Sequence, residues 1–255
     1  MISKNLVKYI KSLERKKIRN REHVFVAEGP KVVGDLSEIY SPVRIIATQN
    51  WFDSVGKRPG NDDVVVDEDE LRKVSFLMHP QDVVALFKIA EASEAGRDYE
   101  KDICLALDGV QDPGNLGTII RIADWFGIST VYCSHETADA YNPKVVQATM
   151  GSIARVNVVY TDLNDLFGNL SEDIPVYGTF LNGKNIYDTK LSNNGIIVMG
   201  NEGNGISDSV ARFVNHRLLI PAFPEGRATA DSLNVAVATA VTCSEFRRFR
   251  FSPSL

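Results

Sequence analysis

"ICLALDGVQDPGNLGTIIRIADWFG", residues 103–127, is the stretch from which the fold can be read. Ile103 to Val110 form an apolar run suited to a buried strand. Pro113-Gly114 followed by Asn115 reads as a turn. Ile119, Ile122, Ala123 and Phe126 then fall at i, i+3, i+4 and i+7, which is one apolar stripe of a helix. Arg121 lies on the opposite helix face, beside Asp124. Strand, loop and helix therefore follow one another within 25 residues.

The alternation continues to the C-terminus. "STVYCS", "RVNVVY", "PVYGTF", "GIIVMG" and "HRLLIP" read as strands, and "LNDLF", "SDSVARFV" and "SLNVAVATAVTCSEFRRF" as helices. In "NPKVVQATMG", Asn142 is a candidate N-cap with Pro143 at the first helical position. Near-continuous apolar strands alternating with helices predict an α/β domain, a mainly parallel sheet covered on both faces. Such sheets bind ligands beyond the carboxyl ends of their strands.

Upstream, residues 1–92 mix a basic helix (Leu6 to Lys17), short strands such as "HVFVAEG" and "VRIIAT", and a helix around "EDELRKVSF". The polar stretch 93–101 shows no apolar stripe and reads as a linker. The expected organisation is a small α+β domain over 1–92, a linker over 93–101, and an α/β domain over 102–255.

No run of 18 apolar residues exists, which excludes a helical membrane span, and the N-terminus has no apolar signal-peptide core. The expected compartment is the cytoplasm. Three widely spaced cysteines and four scattered histidines show no ligand spacing, so no metal is expected. The net charge of -5 conceals an asymmetry: residues 1–31 carry nine Lys/Arg against three Glu. The C-terminal "FRRFR" adds Arg247, Arg248 and Arg250. Such patches bind phosphates locally or simply solvate a helix face.

Three stretches follow a strand and lead into a helix: "DPGNLGTIIRIADWFG" (112–127), "VMGNEGNGIS" (198–207) and "IPAFPEGRATADSLNVAVATA" (220–240). None is a GxGxxG or P-loop motif. Singly, each has a bland reading. Ser232 could cap a helix, Glu202 could be a solvated loop acid, Asn115 could be a turn residue, and Arg121 could pair with Asp124. The glycines at 200, 203 and 205 permit positive φ or close approach of a ligand to the backbone.

In combination the three stretches are far more specific. N-x5-R (Asn115, Arg121), GNEGxGxS, and a distal IP…SLNVxVA resemble, in order, the motifs of the SpoU (TrmH-type) branch of the SPOUT RNA methyltransferases. The resemblance covers about 102–250, and residues 10–33 look like the substrate-binding domain that precedes the catalytic domain in many members.

The resemblance implies an α/β sheet with a C-terminal trefoil knot, and a homodimer with its active site near the interface. It implies methyl transfer from S-adenosylmethionine to a ribose 2′-oxygen of ribosomal or transfer RNA. Arg121, Asn115, Glu202, Ser232 and Asn234 are then the catalytic candidates. Thr179, Met199, Gly200, Asn201, Gly205, Ile220 and Leu233 are the cofactor-binding candidates. Family mechanisms make the first-motif arginine a base. Since arginine stays protonated below a pKa of about 12, an electrostatic role is as natural. Two other readings are a catalytically silent RNA-binding factor of the same fold and a base-directed methyltransferase. The basic N-terminus is expected to follow RNA phosphates, with Tyr9 and Phe25 as candidate stacking aromatics, although packing in the core suits Phe25 better. Four extra residues, "FPEG", should bulge the third loop beside the cofactor pocket, which leaves the contacts of Ala222 to Asp231 open, Arg227 included.

Overall fold

The computed structural model describes residues 2–89, 98–224 and 230–248. Arg227, Arg250 and most of the expected linker lie outside these residues. By its contacts the chain divides into two units: Met1–Glu91 with Asp139–Ala154, and Ala92–Ala138 with Arg155–Leu255.

In the first unit, α1 (Lys4–Ser12), α2 (Lys16–Glu22), β1 (Val24–Glu28), α3 (Pro30–Ile39), β2 (Arg44–Ala47), α4 (Gln49–Ser54), β3 (Val64–Val65), α5 (Glu68–Val74) and β4 (Val83–Lys88) follow one another. The sheet runs β1-β4-β2-β3, with β4 antiparallel to both neighbours. Ile10, Leu13, Val26, Ile46, Leu71, Val74 and Leu86 form its core. The α5 helix follows local rules closely. Asp67 caps it through the Glu70 N–H at 2.8 Å, its first turn is acidic, and Arg72 and Lys73 close the last.

The single basic helix expected from Leu6 to Lys17 is broken into α1 and α2. The carbonyls of Leu13 and Glu14, freed at the break, accept from the Arg19 guanidinium at 2.7 and 2.6 Å. Arg19 also pairs with Asp139 and is 1 % exposed, so this cation of the basic segment cannot reach a phosphate. Phe25 is buried as well, its ring against Phe87 and Tyr141 at 5.8 and 4.9 Å, which removes it as a stacking platform. Tyr9 packs half-buried on the core.

The second unit begins with β5 (Ile103–Asp108), α6 (Pro113–Trp125) and β6 (Thr130–Cys133). The chain then leaves it for α7 (Pro143–Thr149), which packs on β1 of the first unit. Asn142 caps α7 through the Lys144 N–H at 2.9 Å, with Pro143 at the first position, as its sequence dictates. The sequence reading places this excursion in the second segment. Its contacts put it in the first unit, because Tyr141 and Asp139 are held there by Phe25 and Arg19.

The chain re-enters the second unit through β7 (Asn157–Tyr160), α8 (Leu163–Gly168), β8 (Val176–Asn185), β9 (Gly195–Gly200), α9 (Asp208–Ala211), β10 (His216–Leu219) and α10 (Val235–Arg248). All six strands are parallel, in the order β10-β8-β9-β5-β6-β7. Successive strands after β5 build outward on one side, and β9 pairs with its other edge. The carboxyl ends of β5 and β9 therefore form the crevice where the winding reverses.

The opening helix differs from its sequence reading in two ways. Asp112, not the Pro-Gly-Asn turn, is its boundary: Asp112 accepts from the Asn115 N–H at 2.8 Å, so Gly114 and Asn115 stand in the first helical turn. The buried face is Leu116, Ile119, Ile120 and Ala123, whereas Ile122 and Phe126 are half-buried. The stripe is rotated because α6 packs against α10 as well as against the sheet. Arg247, in the last turn of α10, donates to the carbonyls of Phe126 and Gly127 and to Asp102, and is 5 % exposed. It closes the α6–α10 pair and does not serve as a surface cation. Arg248 pairs with Glu245 at 2.8 Å.

Candidate active site

Three loops carry the sequence-predicted residues, and the parallel ladder fixes where each begins. Asp108 at the end of β5 lies opposite Gly200 at the end of β9, so the loops that follow leave side by side. The β9 loop is a tight excursion. Asn201 and Gly205 exchange two backbone hydrogen bonds at 2.9 and 3.0 Å. A Cβ on Gly200 would lie 2.2 Å from the carbonyl carbon of Gly205, and Gly205 itself has φ +70°. These two glycines therefore let the loop fold onto itself; the close approach at Gly200 is by its own chain.

Folding the loop this way turns Glu202 toward α6. Its carboxylate accepts from the Asn115 side-chain amide at 2.9 Å and from the N–H groups of Asp112 and Gln111 at 3.3 and 3.4 Å. Asn115 in turn accepts from the Asn234 side-chain amide at 2.9 Å. Asn234 is the cap of α10, its side-chain oxygen taking the Ala236 N–H at 2.9 Å. Glu202, Asn115 and Asn234, more than 30 residues apart at their closest in sequence, thus form one hydrogen-bonded chain across three loops. Burial alone would raise the Glu202 pKa. The Asn115 amide and the backbone N–H groups of this cradle outweigh burial and hold its carboxyl below the ordinary glutamate range.

The other candidates are placed as follows. Arg121 stands two turns further along α6, on the exposed face it shares with Thr118 and Trp125. Asp124 does not hold it: Arg155 takes Asp124 bidentately, Nε at 3.0 and 3.1 Å and a terminal nitrogen at 2.7 Å. Among the described residues no carboxylate pairs with Arg121. Ser232 is exposed, and the cap position it could have filled belongs to Asn234.

Thr179 and Met199 are neighbours on β8 and β9, with the hydroxyl 4.0 Å from the Met199 sulfur. Gly200 is buried beside them. Ile220 follows β10, and Leu233 is 51 % exposed just before α10. Sequence reasoning missed the donors of Gln111 and Asp112, although Asp-Pro ahead of an apolar stripe is a cap signal. It also missed a cleft of about 400 Å3 at the carboxyl ends of β5, β6, β7 and β9. Asp108, His135, Glu136 and Asn204 are among its lining; of the candidates only Asn201 and Gly205 reach it.

Residues 102–244 match the model of the SpoU rRNA Methylase family. The chain belongs to the SpoU family. Residues 4–85 match the MRM3-like substrate binding domain. Among curated relatives, the 23S rRNA (guanosine(2553)-2′-O)-methyltransferase RlmP of Bacillus subtilis is 32% identical over 244 residues, 94% of this chain and 95% of that protein. Two solved structures extend the likeness over nearly the whole length. A TrmH-family protein from Porphyromonas gingivalis shares 40% identity with a TM-score of 0.88, covering 98% of this chain and 99% of that one. An AdoMet-bound rRNA methyltransferase from Sinorhizobium meliloti shares 30% with a TM-score of 0.84, covering 99% and 97%. The matched range contains the three loops whose side chains meet at Asn115.

Proposed function

We propose that this SpoU-family chain transfers the methyl group of S-adenosylmethionine to the 2′-oxygen of a ribose in ribosomal or transfer RNA. The observation that carries the reading is the Glu202–Asn115–Asn234 chain, which draws all three SpoU motifs to the crevice between β5 and β9. RlmP of Bacillus subtilis is named for this chemistry on 23S rRNA, and the Sinorhizobium meliloti relative has AdoMet bound.

The residues present fit that cofactor. Met199, Ile220 and Leu233 offer apolar wall, Thr179 a hydroxyl, and none of the seven cofactor-binding candidates is a cation that would repel a sulfonium. Thr179, Met199, Gly200, Gly205, Ile220 and Leu233 would hold it. When bound, S-adenosylmethionine supplies a methyl already activated on positive sulfur. The chain's own work is to orient the ribose and assist loss of its proton. Asn115, fixed by Glu202 and Asn234, presents a rigid amide edge to the nucleotide. Arg121, charged and unpaired among the described residues, grips an RNA phosphate and stabilises the alkoxide that develops on the ribose. Ser232 adds a hydroxyl donor at the same loop.

The exposed cations of α1 and α2, among them Lys4, Lys8, Lys17 and Arg21, and Arg15 between the helices, suit RNA phosphates, in keeping with the substrate-binding family of that segment. The side-by-side α6 and α10 expose Trp125 and Val237, 84 % and 50 % accessible, which supports a homodimer on that face. The trefoil knot is inferred from the SpoU membership of residues 102–244. No helix among the described residues is long and apolar enough to cross a membrane, and we place the protein with its RNA in the cytoplasm. Methyl-labelled S-adenosylmethionine, incubated with the protein and unmodified RNA, tests the reading. The expected product after nuclease digestion is a 2′-O-methylnucleoside by mass spectrometry. A base-methylated nucleoside, or cofactor binding with no transfer, overturns it.

A further inference from the structure

Asn201 lies in the SpoU motif "GNEG" and is one of the seven residues expected to contact the cofactor. Its hydrogen-bonding capacity is already used. A side-chain amide has two donor hydrogens and an oxygen with two lone pairs. The Asn201 amide nitrogen donates to the Gly109 carbonyl at 2.7 Å and reaches Glu202 at 3.5 Å. Its oxygen accepts from the N–H groups of Gly203 and Asn204 at 2.9 and 3.0 Å. Its backbone N–H and carbonyl are both paired with Gly205. Both side-chain groups of Asn201 and its backbone N–H are thus engaged within these two loops.

What these bonds do is join two loops. Gly109 opens the loop after β5, and Asn201 opens the loop after β9. The Asn201–Gly109 bond ties them at their roots, two and three residues before Gln111 and Asp112, whose N–H groups reach Glu202. The bonds to Gly203 and Asn204 close the β9 loop on the other side of Glu202. We propose that Asn201 is a positioning residue, which sets Glu202 against Asn115 and thereby fixes the amide edge presented to the ribose. It does not bind S-adenosylmethionine. The inference rests on the methyltransferase reading above and assigns one motif residue a different task within it.

The isosteric Asn201→Asp variant isolates the donor. It keeps the oxygen for Gly203 and Asn204 but sets a carboxylate against the Gly109 carbonyl and Glu202. The measurement uses in vitro transcribed, unmodified 23S rRNA as methyl acceptor and titration calorimetry for S-adenosylmethionine. We expect kcat to fall at least tenfold, while the Kd for S-adenosylmethionine stays within twofold. In the double variant with Glu202→Gln, the rate should fall no further than with Glu202→Gln alone, because both changes break the same unit. Should Asn201→Asp misfold, Asn201→Ser removes the reach to Gly109 without adding charge and carries the same expectations. A cofactor Kd that weakens in step with kcat, a wild-type rate, or additive losses in the double variant each overturn the inference alone. Wild-type protein that binds the cofactor but methylates no RNA overturns the reading of function, and this inference with it.

Discussion

Asn234 donates its side-chain amide to the side-chain oxygen of Asn115 at 2.9 Å, joining the cap of α10 to the first turn of α6. Asn115 passes the connection to Glu202 at 2.9 Å. Replacing Asn115 by Ala removes both bonds at once. Because the site is on the surface, the cost to folding should be about 1 kcal/mol. Methyl transfer should drop by roughly 100-fold, comparable with loss of one preorganised polar group at a reacting centre. Thermal melts run beside single-turnover assays separate the two; equal losses in both would contradict a catalytic placement.

Glu202 makes a pH prediction. Its carboxyl is held below the ordinary glutamate range, near 4.3, so its bonding to Asn115 is intact above that range. It is lost as pH falls through the lowered value, when protonation removes an acceptor. Wild-type activity should therefore persist through pH 5 as far as this group is concerned. Glu202→Gln should lower the plateau rate and remove the acid limb that belongs to Glu202. The kcat–pH profiles of the two proteins make the comparison.

Arg121 is exposed and has no acid partner among the described residues, whereas Asp124 is held by Arg155. Arg121→Ala should leave the melting temperature within about 1 °C, since the side chain makes no described contact worth more than a few tenths of a kcal/mol. It should reduce turnover on RNA about 100-fold or more. Arg121→Lys keeps the charge but loses the planar fork, and should retain only a minor part of the rate. Near-wild-type turnover in Arg121→Ala would remove the residue from the mechanism.

Trp125, 84 % exposed on α6, is the probe for self-association. Trp125→Lys should leave the fold intact and shift the sedimentation coefficient from dimer to monomer. A wild-type protein that sediments as a monomer would contradict the proposed dimer outright.

Arg19 is buried between the carbonyls of Leu13 and Glu14 and the carboxylate of Asp139. Asp139→Asn leaves that charge unpaired in the interior, at a cost of about 3 kcal/mol. Arg19→Met, which removes the charge itself, should cost less of the charge penalty but leave two carbonyls unsatisfied. Urea titrations of the two variants should both show a lower midpoint.

Much of this protein could be read locally, because local rules govern it. An apolar run followed by a capped, apolar-striped segment can form only a strand and a helix. Six such runs alternating with helices require a parallel sheet, and the three candidate stretches fall at strand ends because that is where loops leave such a sheet. The Asn142–Pro143 start of α7 needed nothing beyond its own sequence. Other features depended on neighbours distant in the chain. The basic helix broke in two because Arg19 takes the carbonyls at the break, and Arg19 is buried because Asp139 arrives 120 residues later. Arg247 looked like a surface cation until the end of α6 supplied carbonyls for it. Glu202, Asn115 and Asn201 each have a bland reading alone. What gives them roles is that β9 pairs beside β5, which sets two loops from opposite ends of the domain within hydrogen-bond reach. Composition and periodicity act over a few residues and decide the elements. Which polar atoms meet is decided by strand order, and only the folded chain sets that.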